Sequence, residues 1–180
     1  MSIARSYARA LFESILETKS TTPAEAEQDL RVMSEAITGS REARVALLGP
    51  ATGSKEKAAA VAKIAEKAGT SLAVNQFLQL MARKERLAIL PEVAQAFITV
   101  RVEADGGVLG QIVSADPMGA DDVETIAQAF GKKLGKKITF QTSTDGELLA
   151  GIKVMVNGIT YDGTLRAQLQ RLRDRVMLGV

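Results

Sequence analysis

Among its 180 residues the chain has no cysteine, no histidine and no tryptophan. Without cysteine there is no disulfide, no thiol nucleophile and no thiolate ligand for zinc or an iron–sulfur cluster. Without histidine the commonest general base, the usual serine-protease triad and the usual haem ligand are gone. Carboxylate-only Mg²⁺ or Ca²⁺ sites and Lys or Ser chemistry stay open. Aromatic residues make up only 4%. A core with so few rings rests on Ala, Leu, Val and Ile, which favours close-packed helices. Charge of one sign is scarce too. With 23 basic and 21 acidic residues the net charge is +2, a weak pull towards nucleic acid or anionic lipid. No uncharged apolar run approaches the roughly 20 residues of a spanning helix. The opening MSIARSYARALF passes directly into a helical pattern and lacks the parts of a signal peptide, so the expected compartment is the cytoplasm.

What is present is enough to bury a core: 46% apolar and 24% charged residues, in a length that suits one domain or two small ones. The first hundred residues read as successive helices. Ser2 predicts a cap for a helix over 3–18. Thr22-Pro23-Ala24-Glu25 reads as a capping box with Pro at the first helical position, and Gly39 as the end of that helix. A short helix around Arg41–Leu48 is expected to stop at Gly49-Pro50. Ser54 and Ser71 read as caps of the next two, and Pro91 falls in the first turn of a sixth that runs to about Ala104. Six helices with short connections predict an antiparallel bundle.

At Asp105-Gly106-Gly107 the pattern changes, and two glycines there would let the flanking parts swing. VLGQIVSA and KKITFQT read as strands around a helix striped by Val123, Ile126, Ala127, Phe130 and Leu134. Asn157-Gly158 between two β-prone runs predicts a hairpin, because both turn positions favour positive φ. A last helix from Thr164 carries Leu165, Leu169, Leu172 and Val176, part of which is expected to cover the sheet. The fold class is therefore α+β with two domains: a six-helix bundle over 1–104 and a small α/β domain over 105–180.

Several suggestive segments reduce to ordinary structure. GPATGSKEK at Gly49–Lys57 lacks the spacing, the Lys-Ser order and the preceding strand of a phosphate loop. GKKLGKK at Gly131–Lys137 suits a helix C-terminus, where cations meet the negative end of the dipole. Asp121, Asp122 and Glu124 suit a helix N-terminus and have no calcium-loop spacing. Arg166, Arg171, Arg173 and Arg175 read as a solvated face or a partner surface. No catalytic constellation, cofactor site or metal site is expected.

One feature exceeds what a helix packed on one side needs. Ala4, Ala8, Leu11 and Ile15 form a stripe on the first helix, and Ile3, Tyr7, Ala10 and Phe12 widen it. On the fifth helix Val74, Phe77, Leu78 and Met81 form a stripe that Ala73 and Leu80 extend. Such pairs either sit centrally in a bundle or leave a groove for a partner's amphipathic helix.

Four segments, taken in order, resemble a known family. They are ARSYARALFE, VNQFLQLMARKERLAILPEVAQAF, GGVLGQIVSADPM and LLAGIKVMVNGITYDGTLRAQLQRLRDRV. Together they resemble, over essentially the whole chain, the delta subunit of F-type ATP synthase, called oligomycin-sensitivity-conferring protein in mitochondria. Gly49 and Met155 depart from the usual residues of that pattern. The resemblance implies a non-enzymatic stator subunit that ties the catalytic head to the peripheral stalk against rotor torque. It implies a bacterial protein on the cytoplasmic face of the inner membrane, held there only through the complex. It implies that the N-terminal helix of a head alpha subunit binds at Tyr7, Ala8, Leu11, Phe12, Asn75, Phe77, Leu78 and Met81. It further implies that the C-terminal region of the stalk b subunits binds at Ile152, Val154, Asp162, Leu165, Leu169 and Leu172. Gly151 is expected to allow close backbone approach, and Asp162-Gly163 to position the last helix. The competing reading is a helical nucleic-acid-binding regulator that uses Lys132–Lys137 and the terminal arginines.

Overall fold

The computed structural model describes residues 2–49 and 52–178. Local chemistry sets most helix ends. Ser2 Oγ accepts from the Arg5 N–H at the start of α1 (Ile3–Thr18). At α2 (Pro23–Gly39) the Thr22 hydroxyl accepts from the Glu25 N–H at 3.2 Å, and the Glu25 carboxylate accepts from the Thr22 N–H at 3.0 Å. These reciprocal bonds satisfy two amides that the helix itself leaves open.

One expected end holds and two expected caps differ. Gly39 is the last residue of α2, as expected, and Ser40 follows as its C-cap while capping α3 (Arg41–Leu48) through the Ala43 N–H. Ser54 is the first helical residue of α4 (Ser54–Lys67), with Gly53 in the cap position. Ser71 holds the cap position of α5 (Leu72–Arg83), but its hydroxyl makes no cap bond and is buried without a partner. Its N–H donates instead to Asp29 of α2 at 2.8 Å, a tertiary bond that pins the start of α5. The expected stop at Pro50 lies outside the described residues. A 3₁₀ turn over Leu87–Ile89 leads into α6 (Leu90–Ala104), with Pro91 in its first turn.

The chain divides into two compact units, Met1–Arg101 and Val102–Val180. The division falls inside the last turn of α6, ahead of the boundary expected after residue 104. The first unit is helical. Leu30, Met33, Ile37, Val61, Leu78, Met81, Leu90 and Phe97 are fully buried in its core, and Phe12 meets Phe97 edge-on at 6.0 Å. Arg101 Nε donates to Glu27 Oε2 at 2.6 Å and ties α6 to α2.

The second unit holds β1 (Val108–Ser114), α7 (Ala120–Leu134), β2 (Ile138–Thr144), β3 (Ile152–Val156), β4 (Ile159–Asp162) and α8 (Leu165–Leu178). The sheet order is β2-β1-β3-β4. β1 and β2 are parallel, joined by α7, and the other two pairings are antiparallel. The architecture is α+β. Asn157 and Gly158 adopt φ of 51° and 76° in the two-residue turn that pairs Val156 with Ile159. Phe130 of α7 packs edge-on against Phe140 at 5.8 Å and Tyr161 at 5.0 Å, which seats α7 on one face of the sheet. Gly110, in register with Phe140, makes room for that ring: a Cβ there would come within 2.4 Å of it.

The glycine pair after α6 is hydrogen-bonded to the residues just before it. The Gly106 N–H donates to Glu103 O at 3.0 Å and the Gly107 N–H to Val102 O at 2.9 Å, with Gly106 at φ 71°. This double closure is a Schellman cap, in which only glycine takes the left-handed position without strain. A Cβ on Gly107 would stand about 3 Å from Val102 and from Lys137 O, while the Val108 N–H bonds Lys137 O at 2.8 Å. Within the second unit these bonds hold the glycine pair to Val102 and Glu103 and the following strand to Lys137.

Candidate partner-binding surfaces

α1 and α5 leave an apolar groove of about 490 Å³ between them. Tyr7, Ala10, Leu11 and Ser14 line it from α1, and Leu72, Ala73, Gln76, Phe77 and Leu80 from α5. Tyr7 and Phe77 meet edge-on at 6.1 Å and form its floor. One end is polar: the hydroxyls of Thr18 and Ser20 lie 2.9 Å apart, and Thr18 also donates to Ser14 O. The groove offers apolar area and few hydrogen-bonding groups. That suits the apolar face of a helix better than a charged small molecule.

The expected contact residues divide. Tyr7, Leu11 and Phe77 line the groove. Ala8, Phe12, Leu78 and Met81 do not line it and belong only to the core of the first unit, to which the buried Leu11 and Phe77 belong as well. Asn75 faces elsewhere on α5, where its side-chain carbonyl accepts from Gln79. The outward residues Leu80, Ala10 and Ala73 appear in the sequence only as the widening of each stripe. That widening is the signal that marks the groove. Leu72 and Gln76 extend it from the exposed side of α5.

In the second unit Val154 is sheet core, since it pairs with Ile112 on one side and Tyr161 on the other. Ile152 is half-buried at the start of β3. Asp162 Oδ1 accepts from both the N–H and the hydroxyl of Thr164, at 3.0 and 2.7 Å. Thr164 Oγ1 in turn accepts from the Ala167 N–H in the first turn of α8. The Thr164 hydroxyl first, then its amide, holds the Asp162 carboxyl below the usual carboxylate range. Gly151 takes φ 90° where a Cβ would lie 2.6 Å from Gly163 O, so close backbone approach decides that residue. Leu165, Leu169, Leu172 and Val176 do not cover the sheet as expected. They are solvent-exposed along the length of α8.

The family model for the ATP synthase delta (OSCP) subunit matches residues 3–176. The chain belongs to that family. Relatives described as ATP synthase subunit delta include that of Phenylobacterium zucineum, 37% identical over 93% of this chain and 90% of its own length. The protein of that description from Caulobacter sp. is 32% identical over the same shares. That of Solidesulfovibrio magneticus is 30% identical over 98% and 97%. Among solved structures, a chain of the Toxoplasma gondii mitochondrial ATP synthase hexamer matches with a TM-score of 0.69 at 20% identity, over 98% of both chains. As a delta-family member the chain is a stator subunit of ATP synthase, part of the peripheral stalk and structural rather than catalytic.

Lys132 and Lys133 sit in the last turn of α7, and Lys133 Nζ lies over the Tyr161 ring at 5.0 Å. Among the described residues no three carboxylates converge on a metal, and no helix is long and apolar enough to cross a membrane.

Proposed function

We propose that the first unit is a six-helix antiparallel bundle whose α1–α5 groove receives the amphipathic N-terminal helix of a head alpha subunit. α8 of the second unit is the seat of the C-terminal region of the stalk b subunits. The chain then works at the cytoplasmic face of the bacterial inner membrane, held there through the complex alone. The observation that carries the reading is the groove itself. Leu80 and Leu72 stand exposed beside the Tyr7–Phe77 floor, with no element of the same unit covering them. A stator joint does no bond chemistry. It needs apolar contact area and slow dissociation, and both surfaces are of that kind.

Titration calorimetry with the alpha N-terminal peptide tests this. Leu80→Asp puts a carboxylate where the partner's apolar face must lie, at a desolvation cost of several kcal/mol. Binding is expected to fall below detection while the circular dichroism stays that of the parent. Unchanged affinity of the Leu80→Asp chain would remove the groove from the head contact.

A further inference from the structure

α8 carries an apolar seam that its own unit leaves uncovered. Leu165, Leu169, Leu172 and Val176 are 40%, 53%, 58% and 74% exposed, and the polar side chains of the helix are exposed as well. Arg171 donates through Nη2 to Asp162 O at 3.1 Å and through Nε to Ala167 O at 3.2 Å. The only acid of the helix, Asp174, accepts from Gln170 at 2.9 Å. The spacing of the apolar residues is four, three, four. That is the seam of a coiled coil, with Leu165 and Leu172 at d positions and Leu169 and Val176 at a positions. The residues flanking such a seam are then fixed by count. Arg166 and Arg173 occupy e positions, and Gln168 and Arg175 occupy g positions. Arg166, Arg173 and Arg175 are exposed and form no ion pair among the described residues.

We propose that α8 is one strand of a short helix pair, and that the other strand is an apolar-seamed helix with carboxylates beside its seam. Residues at e and g positions meet across a helix pair and set partner choice. Three arginines there complement an acidic helix. They also set like charges against each other when two copies of α8 meet, so the exposed leucines do not pair this chain with itself. The partner chemistry rests on α8 being the stalk seat. It adds to that reading the charge that a stalk helix must carry and the residues that read it.

The test uses the full chain and three ligands: the C-terminal segment of the b subunit, a synthetic helix with a leucine seam and flanking glutamates, and the same helix with lysines. The parent chain is expected to bind the glutamate helix and not the lysine helix, and to sediment as a monomer. The triple variant Arg166→Glu, Arg173→Glu, Arg175→Glu is expected to lose affinity for the b segment by on the order of 30-fold at low salt, from three attractions turned into repulsions. Raised salt narrows that gap. The triple Arg→Lys variant is expected to keep the parent's choice. The altered side chains are exposed, so circular dichroism should not change. Leu169→Asp tells the two claims apart. If it leaves b binding intact, α8 is not the seat and both claims fall. If it abolishes b binding while the triple Arg→Glu variant stays within twofold of the parent, the seat stands and the charge reading is overturned. A parent chain that dimerises, or that takes the lysine helix as readily as the glutamate helix, also overturns it.

Discussion

Leu78 and Leu80 lie two residues apart on α5, and replacing each by alanine should have opposite consequences. Leu78 is 0% exposed in the core, whereas Leu80 is 47% exposed on the groove. Leu78→Ala removes a buried side chain and leaves a cavity, which costs about 2–5 kcal/mol. For a helical unit of this size the lower figure already lowers the melting temperature by about 8 °C. Leu80→Ala removes a side chain that water already half covers, so about 0.5 kcal/mol or less of stability should go. The order reverses for the alpha peptide. Full burial of a leucine is worth about 2 kcal/mol, and roughly half of that remains for the partner to supply at Leu80. The alanine there should weaken binding by about 1 kcal/mol, or about fivefold in Kd. Leu78→Ala should bind within about twofold of the parent at temperatures where the unit is folded. Urea unfolding and titration calorimetry on both chains give the four numbers. The reasoning fails if Leu80→Ala destabilises as much as Leu78→Ala, or if Leu78→Ala is the one that loses the peptide.

Gly110→Val should destabilise the second unit by about 1–3 kcal/mol, because the new Cβ enters the volume of the Phe140 ring. A shifted urea midpoint for that unit, with the first unit unchanged, checks it. Thr22→Ala should cost about 1 kcal/mol by breaking the capping box of α2, seen as a lower midpoint for the helical unit. The pH profile has a definite shape. Glu25 is held below its ordinary value chiefly by the Thr22 amide, Glu42 by its own backbone amide and then Ser40, and Asp162 by Thr164. Depressed folded values mean stability that is present above the unfolded carboxylate range, about pH 4, and lost as pH falls through the folded values. With no histidine in the chain, no side chain has its ordinary pKa between pH 6 and 8. The urea midpoint should therefore stay level there and drop below about pH 4. A midpoint that moves between pH 6 and 8, or holds to pH 3, would contradict it.

Local chemistry is what the sequence makes readable. The Thr22–Glu25 box and the Asn157-Gly158 turn are each complete within four residues, and the structure has both as read. The apolar seams on α1, α5 and α8 are equally readable, since they depend only on the period of the helix. Which way a seam faces is a tertiary property. Leu78 and Leu172 look alike in a stripe, yet one is core and the other is exposed. The same holds for caps with distant partners. Ser71 reads as an N-cap, but Asp29, 42 residues away, takes its amide. For the candidate groove this means that the helices were legible and the lining was only half so. Ala8 and Phe12 belong to the core alone, whereas Leu11, just as buried at 3% exposed, also lines the groove beside Tyr7, and the sequence alone gives no reason to separate them.

The capped glycine pair has a practical side for anyone who divides the chain. Asp105-Gly106-Gly107 looks like the natural place to cut or to splice in a tag. A cut after Ala104 would leave Val102, 4% exposed in the whole chain, without the Gly107 backbone beside it. It would also strand the carbonyls of Val102 and Glu103, which the two glycine amides satisfy. A fragment ending at Arg101 keeps the pair with Glu27 and gives up nothing that belongs to the first unit. The last turn of α6 beyond Arg101 thus groups with the glycines and the strands that follow rather than with the helix it ends.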